Sequence, residues 1–583
     1  PAILVRDAFS PSISQDGKLL AYISAKNGDV PQAWARQIGG GKPIQITRGA
    51  ARAYFSELSP EGTRFLVASE EQGTEVRQIS VFPGDTSIPV PHAISCRFSP
   101  SGESLLCIVP QNQQRLPDTP VSVVVVSHGE QDPVSFVSGH YDISSPPVWS
   151  ATGTSFLFLG RRRNEAASTY GWWLADLSSR SVRRFNLPGL MQRMNMPPSV
   201  YTWVRQNDKR MFIFYSIQDR NGWLLNRIRV SAEGRPLGAP DQVLAGAGVL
   251  NGVARESTGG TLVYSVGSLS ENIFEIPIDR HGRQLGPVSE LPLPEGPLYY
   301  SPSASRDGTA VAYISAELGR ENALTLRDSS SGTDRILDKS GAVPRDESAS
   351  LSPDGSRVVF NRWCTQKEVP DCPSFVVSAA GGHPERICDN CQARGFSRDG
   401  SWVLMQKYAS RSSGSKALDE ITAVDIATKQ EREFLTDPNH AVYHAFLSPD
   451  NRWVVFKRWI NWTKSQILIA PVNNRQAAPE PEWIPVTDGR FSDDKPQFAP
   501  DGNSVYFTSD RDGYLCIWVQ RLDPVTRHPV GAVAPYAHFH NSMGRDAVSF
   551  AETQRMADLT VAADKILINL PQRRSDIWIT HLN

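Results

Sequence analysis

The chain repeats one pattern of apolar and polar positions. A short apolar segment leads into a polar turn of the type Ser-Pro-Asp-Gly, and an alternating apolar strand follows, as in SLSPDGSRVVFNR at 350–362 and QFAPDGNSVYFTS at 497–509. Proline fixes φ in such a turn, and aspartate and glycine accept its backbone geometry. Alternation with a period of two predicts a strand with one buried face. We count twelve copies of the pattern, degenerate ones included, about 40–60 residues apart.

Each copy predicts one blade of a β-propeller. After the turn and its strand come a loop, a third strand such as CIWVQRL and a fourth strand with a polar end, such as PIQITRG. Four antiparallel strands in a unit of this length form a blade, and a ring usually holds about four to eight blades. The predicted fold is therefore all-β, with two tandem six-bladed propellers. Seven plus five blades is the alternative.

A boundary between the two rings is expected near residue 295, in the Pro/Gly-rich stretch LPLPEGPLYYSP. This gives an N-terminal propeller at 1–295 and a C-terminal propeller at 296–583. The last copy ends after its third strand, SDIWITHLN, and the chain begins with PAILVRD, which is similar to the fourth-strand segment KPIQITRG. Residues 1–7 are expected to close a blade and so to cover an open sheet edge. One ring is then inserted in the other, or the strand closes a blade of a neighbouring chain and the protein self-associates.

The repeats resemble the Pro-Asp-rich propeller repeats of TolB-type periplasmic proteins over nearly the whole chain. The last third contains an ordered series, ERICDNCQARGFSRDGSWVLM, LSPDNRWVVFKR, HFHNSMGR and LTVAADKILINLPQRRSDIWI. This series is similar to the C-terminal propeller region of acidobacterial receptor-like serine/threonine kinases. The resemblance implies an extracytoplasmic propeller that follows a membrane span and a cytoplasmic kinase. The chain itself has no Gly-rich ATP loop, no His-Arg-Asp catalytic loop and no Asp-Phe-Gly segment, so it lacks the kinase machinery.

The charge balance argues against nucleic acid as a partner. The formal net charge is −1 at pH 7, whereas a nucleic-acid protein shows a basic stripe. No run of 18 apolar residues occurs, so we expect no membrane span in this chain.

Six of the seven cysteines fall in closely spaced pairs, which predicts disulfides in an oxidising, extracytoplasmic compartment. Cys516 is left over. Two alternatives remain open from the sequence, namely free thiols or a zinc site formed by the second and third pairs. The pairs are Cys96 with Cys107, Cys364 with Cys372, and Cys388 with Cys391.

The sequence contains few candidates for catalytic or metal-binding residues. No Gly-x-Ser-x-Gly elbow and no HExxH motif occurs. His538 and His540 alternate on a segment that fits a strand, so both imidazoles face one side and are weak candidates for a metal site. Packing and hydrogen bonding are the alternative role for them. Calcium at Asp510 and Asp512 is disfavoured because the spacing lacks the ligands of a calcium loop. We predict no catalytic residue and no cofactor.

The function expected from the sequence is a non-enzymatic, extracytoplasmic binding or scaffold module, secreted or periplasmic. Propeller faces are broad, rigid and lined by loops, which suits recognition of a protein partner, a second copy of the chain or a small ligand. One alternative is the ligand-sensing ectodomain of a membrane-bound serine/threonine kinase. Another is a propeller enzyme of the lyase or glycosidase type, which needs paired carboxylates at a central channel.

Overall fold

The computed structural model shows a chain built from β-strands. In the described part of the chain the strands are accompanied by one 3-10 turn at Glu480–Glu482. No helix in that part is long and apolar enough to cross a membrane. The described residues are 1–25, 30–49, 51–70, 74–80, 86–110, 121–127, 134–138, 140–143, 145–163, 170–186, 199–206, 209–219, 222–255, 260–317, 322–340, 348–361, 373–407, 419–461, 464–512, 515–539 and 557–582.

The chain divides into two compact units. Unit 1 comprises Pro1–Leu269, Gly544–Ala547 and Arg573–Asn583, and unit 2 comprises Ser270–Met543 and Val548–Gln572. Residues 270–295 belong to unit 2, although the sequence analysis assigns them to the N-terminal propeller. The reason is that one strand runs on from unit 1 into unit 2, so the division falls inside a regular strand and not at the Pro/Gly-rich linker.

Unit 1 is a six-bladed propeller. Its first five blades are antiparallel sheets that follow one another along the chain, after the N-terminal strand β1 (Ala2–Val5). Their strands are β2 (Ala8–Ile13), β3 (Leu19–Ser24), β4 (Gln32–Gln37) and β5 (Ile44–Gln45); β6 (Arg52–Leu58), β7 (Arg64–Glu70), β8 (Thr74–Ser80) and β9 (Thr86–Ser87); β10 (Ser95–Phe98), β11 (Ser104–Pro110), β12 (Val121–Ser127) and β13 (Val134–Ser138); β14 (Tyr141–Ile143), β15 (Val148–Trp149), β16 (Ser155–Arg162), β17 (Gly171–Asp176) and β18 (Val182–Phe185); and β19 (Ser199–Arg205), β20 (Met211–Asp219), β21 (Gly222–Val230) and β22 (Asp241–Gly246). The strands β23 (Val249–Arg255), β24 (Thr261–Pro277) and β25 (Ser289–Glu290) come next in the chain.

Unit 2 is also a six-bladed propeller, and its first five blades again follow one another along the chain. Their strands are β26 (Leu298–Ala304), β27 (Ala310–Ala316), β28 (Asn322–Asp328) and β29 (Asp334–Ser340); β30 (Ala349–Leu351), β31 (Arg357–Asn361), β32 (Ser374–Ser378) and β33 (Glu385–Cys388); β34 (Cys391–Phe396), β35 (Trp402–Lys407), β36 (Glu420–Asp425) and β37 (Glu431–Leu435); β38 (Val442–Leu447), β39 (Trp453–Asn461), β40 (Lys464–Asn473), β41 (Gln476–Ala477) and β42 (Ile484–Pro485); and β43 (Asp494–Phe498), β44 (Ser504–Ser509), β45 (Cys516–Leu522) and β46 (Pro529–Ala537). The last two strands are β47 (Leu559–Val561) and β48 (Lys565–His581).

The sixth blade of each unit uses part of β24 and part of β48. In unit 1, the beginning of β24 pairs with β23, and the end of β48 pairs with β1 through Ile577 and Ile579. In unit 2, the end of β24 pairs with β25, and the beginning of β48 pairs with β47. Unit 2 is thus an insertion between the second and third strands of the sixth blade of unit 1. The N-terminal strand lies within its own chain, along β48.

The repeated turn has a structural role. Ser352 Oγ donates to Asp354 Oδ1 at 2.6 Å and accepts the backbone N–H of Arg357 at 3.0 Å, while Gly355 adopts a φ of 71°. That backbone conformation favours glycine. The same Ser–Asp hydrogen bond recurs in four other blades, at Ser14–Asp16, Ser305–Asp307, Ser397–Asp399 and Ser448–Asp450.

The hydrophobic core lies between adjacent blades. Trp172 and Trp173 are consecutive on β17, and each is buried in a different apolar cluster because successive side chains of a strand face opposite ways. In unit 2, Phe456 and Trp483 pack edge to face with ring centroids 4.8 Å apart. The first strands of the six blades of unit 2 neighbour one another in a closed ring, in the order β26, β30, β34, β38, β43 and β47. These inner strands surround the propeller axis.

Candidate functional site

Three neighbouring inner strands of unit 2 each carry a β-bulge with a basic side chain. The bulge in β34 contains Arg394, the one in β38 contains His444, and the one in β43 contains Lys495. His444 and Lys495 both have a φ of 51°, in the left-handed region that such residues seldom adopt. Bulges redirect side chains and are frequent beside functional sites. Together with Asp494 and Asp558, these residues form what we call the inner-strand cluster.

Asp494 lies at the centre of a buried ionic network. Its Oδ1 is 2.6 Å from Nδ1 of His444, and its Oδ2 is 2.8 Å from Nζ of Lys457. The Lys457 ammonium also lies 4.9 Å from the centroid of the Trp459 ring. Only 3 % of the Asp494 side chain is exposed. Burial by itself raises the pKa of Asp494, but Lys457 and His444 outweigh burial and hold that pKa well below its usual value.

His444 is neutral at physiological pH. Burial lowers its pKa most, Lys495 and Arg394 lower it further, and the opposing effect of Asp494 leaves it at about 3. A neutral imidazole with Nδ1 facing a carboxylate carries its proton on Nδ1 and donates it to Asp494. The hydrogen bond therefore joins the inner strands of two adjacent blades without placing a further charge between them.

Lys495 makes the corresponding link to the sixth blade. Its Nζ is 2.6 Å from Oδ1 of Asp558, which precedes β47. Burial raises the pKa of Asp558, but Lys495 and then Arg394 lower it more, so the carboxyl stays ionised at neutral pH. Each lysine of this region thus has its own carboxylate.

Arg394 has no such carboxylate partner among the described residues. Its Nη2 donates to Oε1 of Gln392 at 2.6 Å, on the same strand. Its Nε is buried and finds no hydrogen-bond acceptor among the described residues. A buried N–H group without an acceptor costs about 1–3 kcal/mol. Arg394 also lies near enough to His444 and Asp558 to influence both pKa values, so it belongs to the same electrostatic environment.

Unit 1 carries a titratable group at its own inner strands. Glu57, on β6, has a buried Oε2 without a hydrogen-bond partner in the described part of the chain. Burial raises the pKa of Glu57 to about 7, and Arg97 on β10 opposes that rise. A carboxyl group with a pKa in this range can donate or accept a proton at neutral pH.

The cysteines confirm part of the sequence prediction. Cys96 and Cys107 form a disulfide across β10 and β11, and Cys388 and Cys391 form another between β33 and β34. Two disulfides fit an oxidising compartment. Cys388 and Cys391 are therefore not available as thiolate ligands for the four-cysteine zinc site. The predicted pair of Cys364 and Cys372 lies outside the described residues.

Of the two histidines predicted as weak metal candidates, His538 lies within the described residues and His540 does not. His538 follows β46, and its Nδ1 is 2.8 Å from Oδ2 of Asp512. Its ring packs edge to face against Trp518. Cys516, the first residue of β45, is a buried free thiol beside this pair. His540 lies outside the described ranges.

The inner-strand cluster escaped the sequence analysis because its members come from different blades. A signal was nevertheless present in the repeats. The bulge residue lies four positions before the start of the turn motif, and it is serine in two blades, Ser10 and Ser301, but histidine at 444 and lysine at 495. All four have φ between 51° and 53°. Aligning the copies on the turn shows basic side chains at 444 and 495, where Ser10 and Ser301 place a small hydroxyl.

Comparison with known proteins supports the fold. No family model and no curated protein matches the chain. A solved structure described as TolB from Agrobacterium tumefaciens is 16% identical, with a TM-score of 0.37 over 53% of this chain and 99% of that chain. TolB from Acinetobacter baumannii is 14% identical, with a TM-score of 0.34 over 55% of this chain and 81% of that chain. Oligogalacturonate lyase from Vibrio parahaemolyticus is 14% identical, with a TM-score of 0.21 over 79% of this chain and 97% of that chain. Such likeness shows the β-propeller fold alone.

The prediction that the chain is not an enzyme requires correction. Similar solved structures include the tricorn protease and prolyl endopeptidases as well as the lyase. A propeller of this kind is therefore found both in TolB and in enzymes, and missing hydrolase or kinase motifs do not exclude catalysis. Those motifs report only chemistry that has a local sequence signature, whereas the raised pKa of a group such as Glu57 comes from burial.

Proposed function

We propose that the protein is a ligand-binding β-propeller protein that acts outside the cytoplasm, and that unit 2 binds a carboxylate group of its ligand at Arg394. The observation that carries the proposal is the buried Nε of Arg394, which has no acceptor among the described residues. Arginine presents its N–H groups in a planar fork that matches a carboxylate, and such charge-assisted hydrogen bonds are about twice as strong as neutral ones.

The bulge residues of the other inner strands bond to the next blade, and this distinguishes them from Arg394. Ser301, His444 and Lys495 each reach to the inner strand of the next blade or to the residue just before it, through Ala349 N–H, Asp494 and Asp558 respectively. Arg394 instead bonds Gln392 on its own strand. The residue four positions before the turn thus joins blades elsewhere in the ring, whereas Arg394 lies in the β34 bulge three positions before Ser397 and makes no such link among the described residues.

The surrounding charges favour an anion at this position. Lys457 and Lys495 are each neutralised by a carboxylate, and His444 carries no charge at neutral pH. The guanidinium group of Arg394 therefore supplies the unbalanced charge among these side chains, and a ligand carboxylate would neutralise it.

Location outside the cytoplasm rests on the two disulfides. The similarity to receptor-like kinases stays a prediction, and both an independent binding protein and a sensor ectodomain would use such a site. The N-terminus of the protein isolated from its own source separates these two cases. A start at Pro1 indicates an independent exported protein, and a start several hundred residues upstream indicates a sensor.

Binding of a labelled hexaglutamate peptide, followed by fluorescence anisotropy, tests the carboxylate site. We expect saturable binding that Arg394→Gln weakens by about tenfold or more, equivalent to about 1.4 kcal/mol. Arg452→Gln is the matched control, because Arg452 lies in the neighbouring blade with 75% of its side chain exposed and pairs with Asp450, two residues away. Citrate added as a competitor shows whether a small carboxylate suffices or an extended acidic chain is needed. Equal affinity in wild type and Arg394→Gln would refute the proposal.

A further inference from the structure

The fifth blade of unit 2 brings three different ligand types together at one end. Ile517 pairs with Ala537 across β45 and β46, so the register places Cys516 opposite His538. Cys516 also pairs with Ser509 of β44, and Asp512 lies in the connection between β44 and β45. The antiparallel hairpins thus hold a thiol, an imidazole and a carboxyl group at the same edge of the blade.

These groups are within reach of one ion. Nδ1 of His538 is 2.8 Å from Oδ2 of Asp512, and the ligand atoms of Asp512, Cys516 and His538 all lie within 4.8 Å of one another. Trp518 packs against the His538 ring at a centroid distance of 5.8 Å and limits its rotation. Cys516 is fully buried, whereas Asp512 and His538 are partly exposed, so the cluster is open to solvent on one side.

We propose that Asp512, Cys516 and His538 bind a Zn²⁺ ion. One sulfur, one nitrogen and one oxygen ligand match the borderline softness of zinc, and three protein ligands with water in the fourth position form an open tetrahedral site. The thiolate and the carboxylate together neutralise the charge of a divalent cation. The site is separate from Arg394 and does not depend on the carboxylate proposal.

Metal binding gives the free thiol of Cys516 a role. It is the free cysteine of the described chain, which has disulfides elsewhere. A buried cysteine without a metal or a cationic neighbour is a protonated thiol at neutral pH. When Zn²⁺ binds, the S–H bond breaks, the sulfur electron pair forms the Zn–S bond and one proton passes to solvent. No oxidant or reductant takes part.

Cobalt substitution provides the test, because a Co²⁺–thiolate bond has its own charge-transfer absorption. The full chain is treated with a chelator, dialysed and titrated with Co²⁺ and then with Zn²⁺. We expect one equivalent of Co²⁺ to produce a sulfur-to-cobalt band, and one equivalent of Zn²⁺ to displace it. Cys516→Ser should abolish the band, and His538→Gln should weaken Co²⁺ binding by about tenfold or more.

His281→Gln is the matched control. Like His538, His281 is paired with an aspartate of unit 2, with its Nδ1 3.1 Å from Oδ2 of Asp501. Among the described residues, His281 does not belong to a group of three potential metal ligands. This variant should bind Co²⁺ like the wild type. His538 is partly exposed, so His538→Gln reports on the site even if Cys516→Ser fails to fold. Absence of the band in the wild type, or its persistence at full strength in His538→Gln, would overturn the proposal.

Discussion

Protonation of His444 should make the stability of unit 2 fall in mild acid. The pKa of His444 is about 3 in the folded protein, against 6.5 for a free histidine. Between these values the unfolded chain binds a proton that the folded chain does not, so the free energy of unfolding decreases as the pH falls. From about pH 7 to about pH 5 the loss amounts to about 2 kcal/mol, or about 3 °C in melting temperature for a unit of this size.

The charges around His444 decide the sign of this effect. Lys495 and Arg394 disfavour an imidazolium ion, as burial does, whereas Asp494 favours it. If Asp494 dominated, the folded pKa would lie above 6.5, and mild acid would stabilise the protein relative to a variant without the imidazole. The experiment therefore distinguishes the two electrostatic balances by the direction of the change as well as by its size.

Urea unfolding followed by tryptophan fluorescence, at about pH 7 and about pH 5, measures the effect. The test variant is His444→Asn, because asparagine tolerates the left-handed backbone at this position and still donates to Asp494. We expect the wild type to lose about 2 kcal/mol more than this variant between the two pH values. His281→Asn, at a half-exposed histidine paired with Asp501, should retain the pH dependence of the wild type. Equal pH dependence in wild type and His444→Asn would refute the reasoning.

Three further perturbations test other features. Asp494→Asn leaves two basic groups buried without their carboxylate, so the free energy of unfolding measured with urea should fall by about 3 kcal/mol. The control Glu385→Gln removes the carboxylate of an exposed pair and should lower that free energy by less than about 1 kcal/mol. Gly282 has a φ of +77°, and Gly282→Ala places a Cβ 1.9 Å from a buried tyrosine hydroxyl. Gly531 has a similar φ of +73° but open space around the added Cβ, so Gly531→Ala is the control. The melting temperature of Gly282→Ala should lie below that of Gly531→Ala, and equal values would contradict the clash. Deleting residues 1–7 uncovers the edge of β48, so we expect lower thermal stability and new self-association in sedimentation velocity; a variant unchanged in both measurements would contradict the pairing.

The propeller fold was predictable because its determinants are local. Each blade repeats a turn whose serine and aspartate bond each other within two residues, as at Ser352 and Asp354, and such patterns are visible in a linear sequence. The disulfides at Cys96–Cys107 and Cys388–Cys391 were predictable for the same reason, since their partners lie 11 and 3 residues apart.

The site residues depend on contacts between blades and left only a weak sequence signal. His444 and Asp494 are 50 residues apart, and Lys495 and Asp558 are 63 apart. Their importance comes from burial and from mutual charge, which a single blade does not reveal. The division of the chain was also hidden, because β24 and β48 continue as regular strands through the points where the units meet in sequence. The proline- and glycine-rich stretch near residue 295 lies inside unit 2.

The insertion of unit 2 within the sixth blade of unit 1 sets an order for folding during synthesis. The segment of unit 2 that begins at Ser270 is complete once Gln572 has left the ribosome, and it then contains all six of its blades. Unit 1 was begun first, yet it cannot close until the end of β48 emerges and pairs with β1. Its five finished blades therefore remain an open ring while the segment from Ser270 to Gln572 is translated. Unit 1 therefore becomes native after unit 2, and during that interval its unpaired strand edges are exposed to non-native pairing.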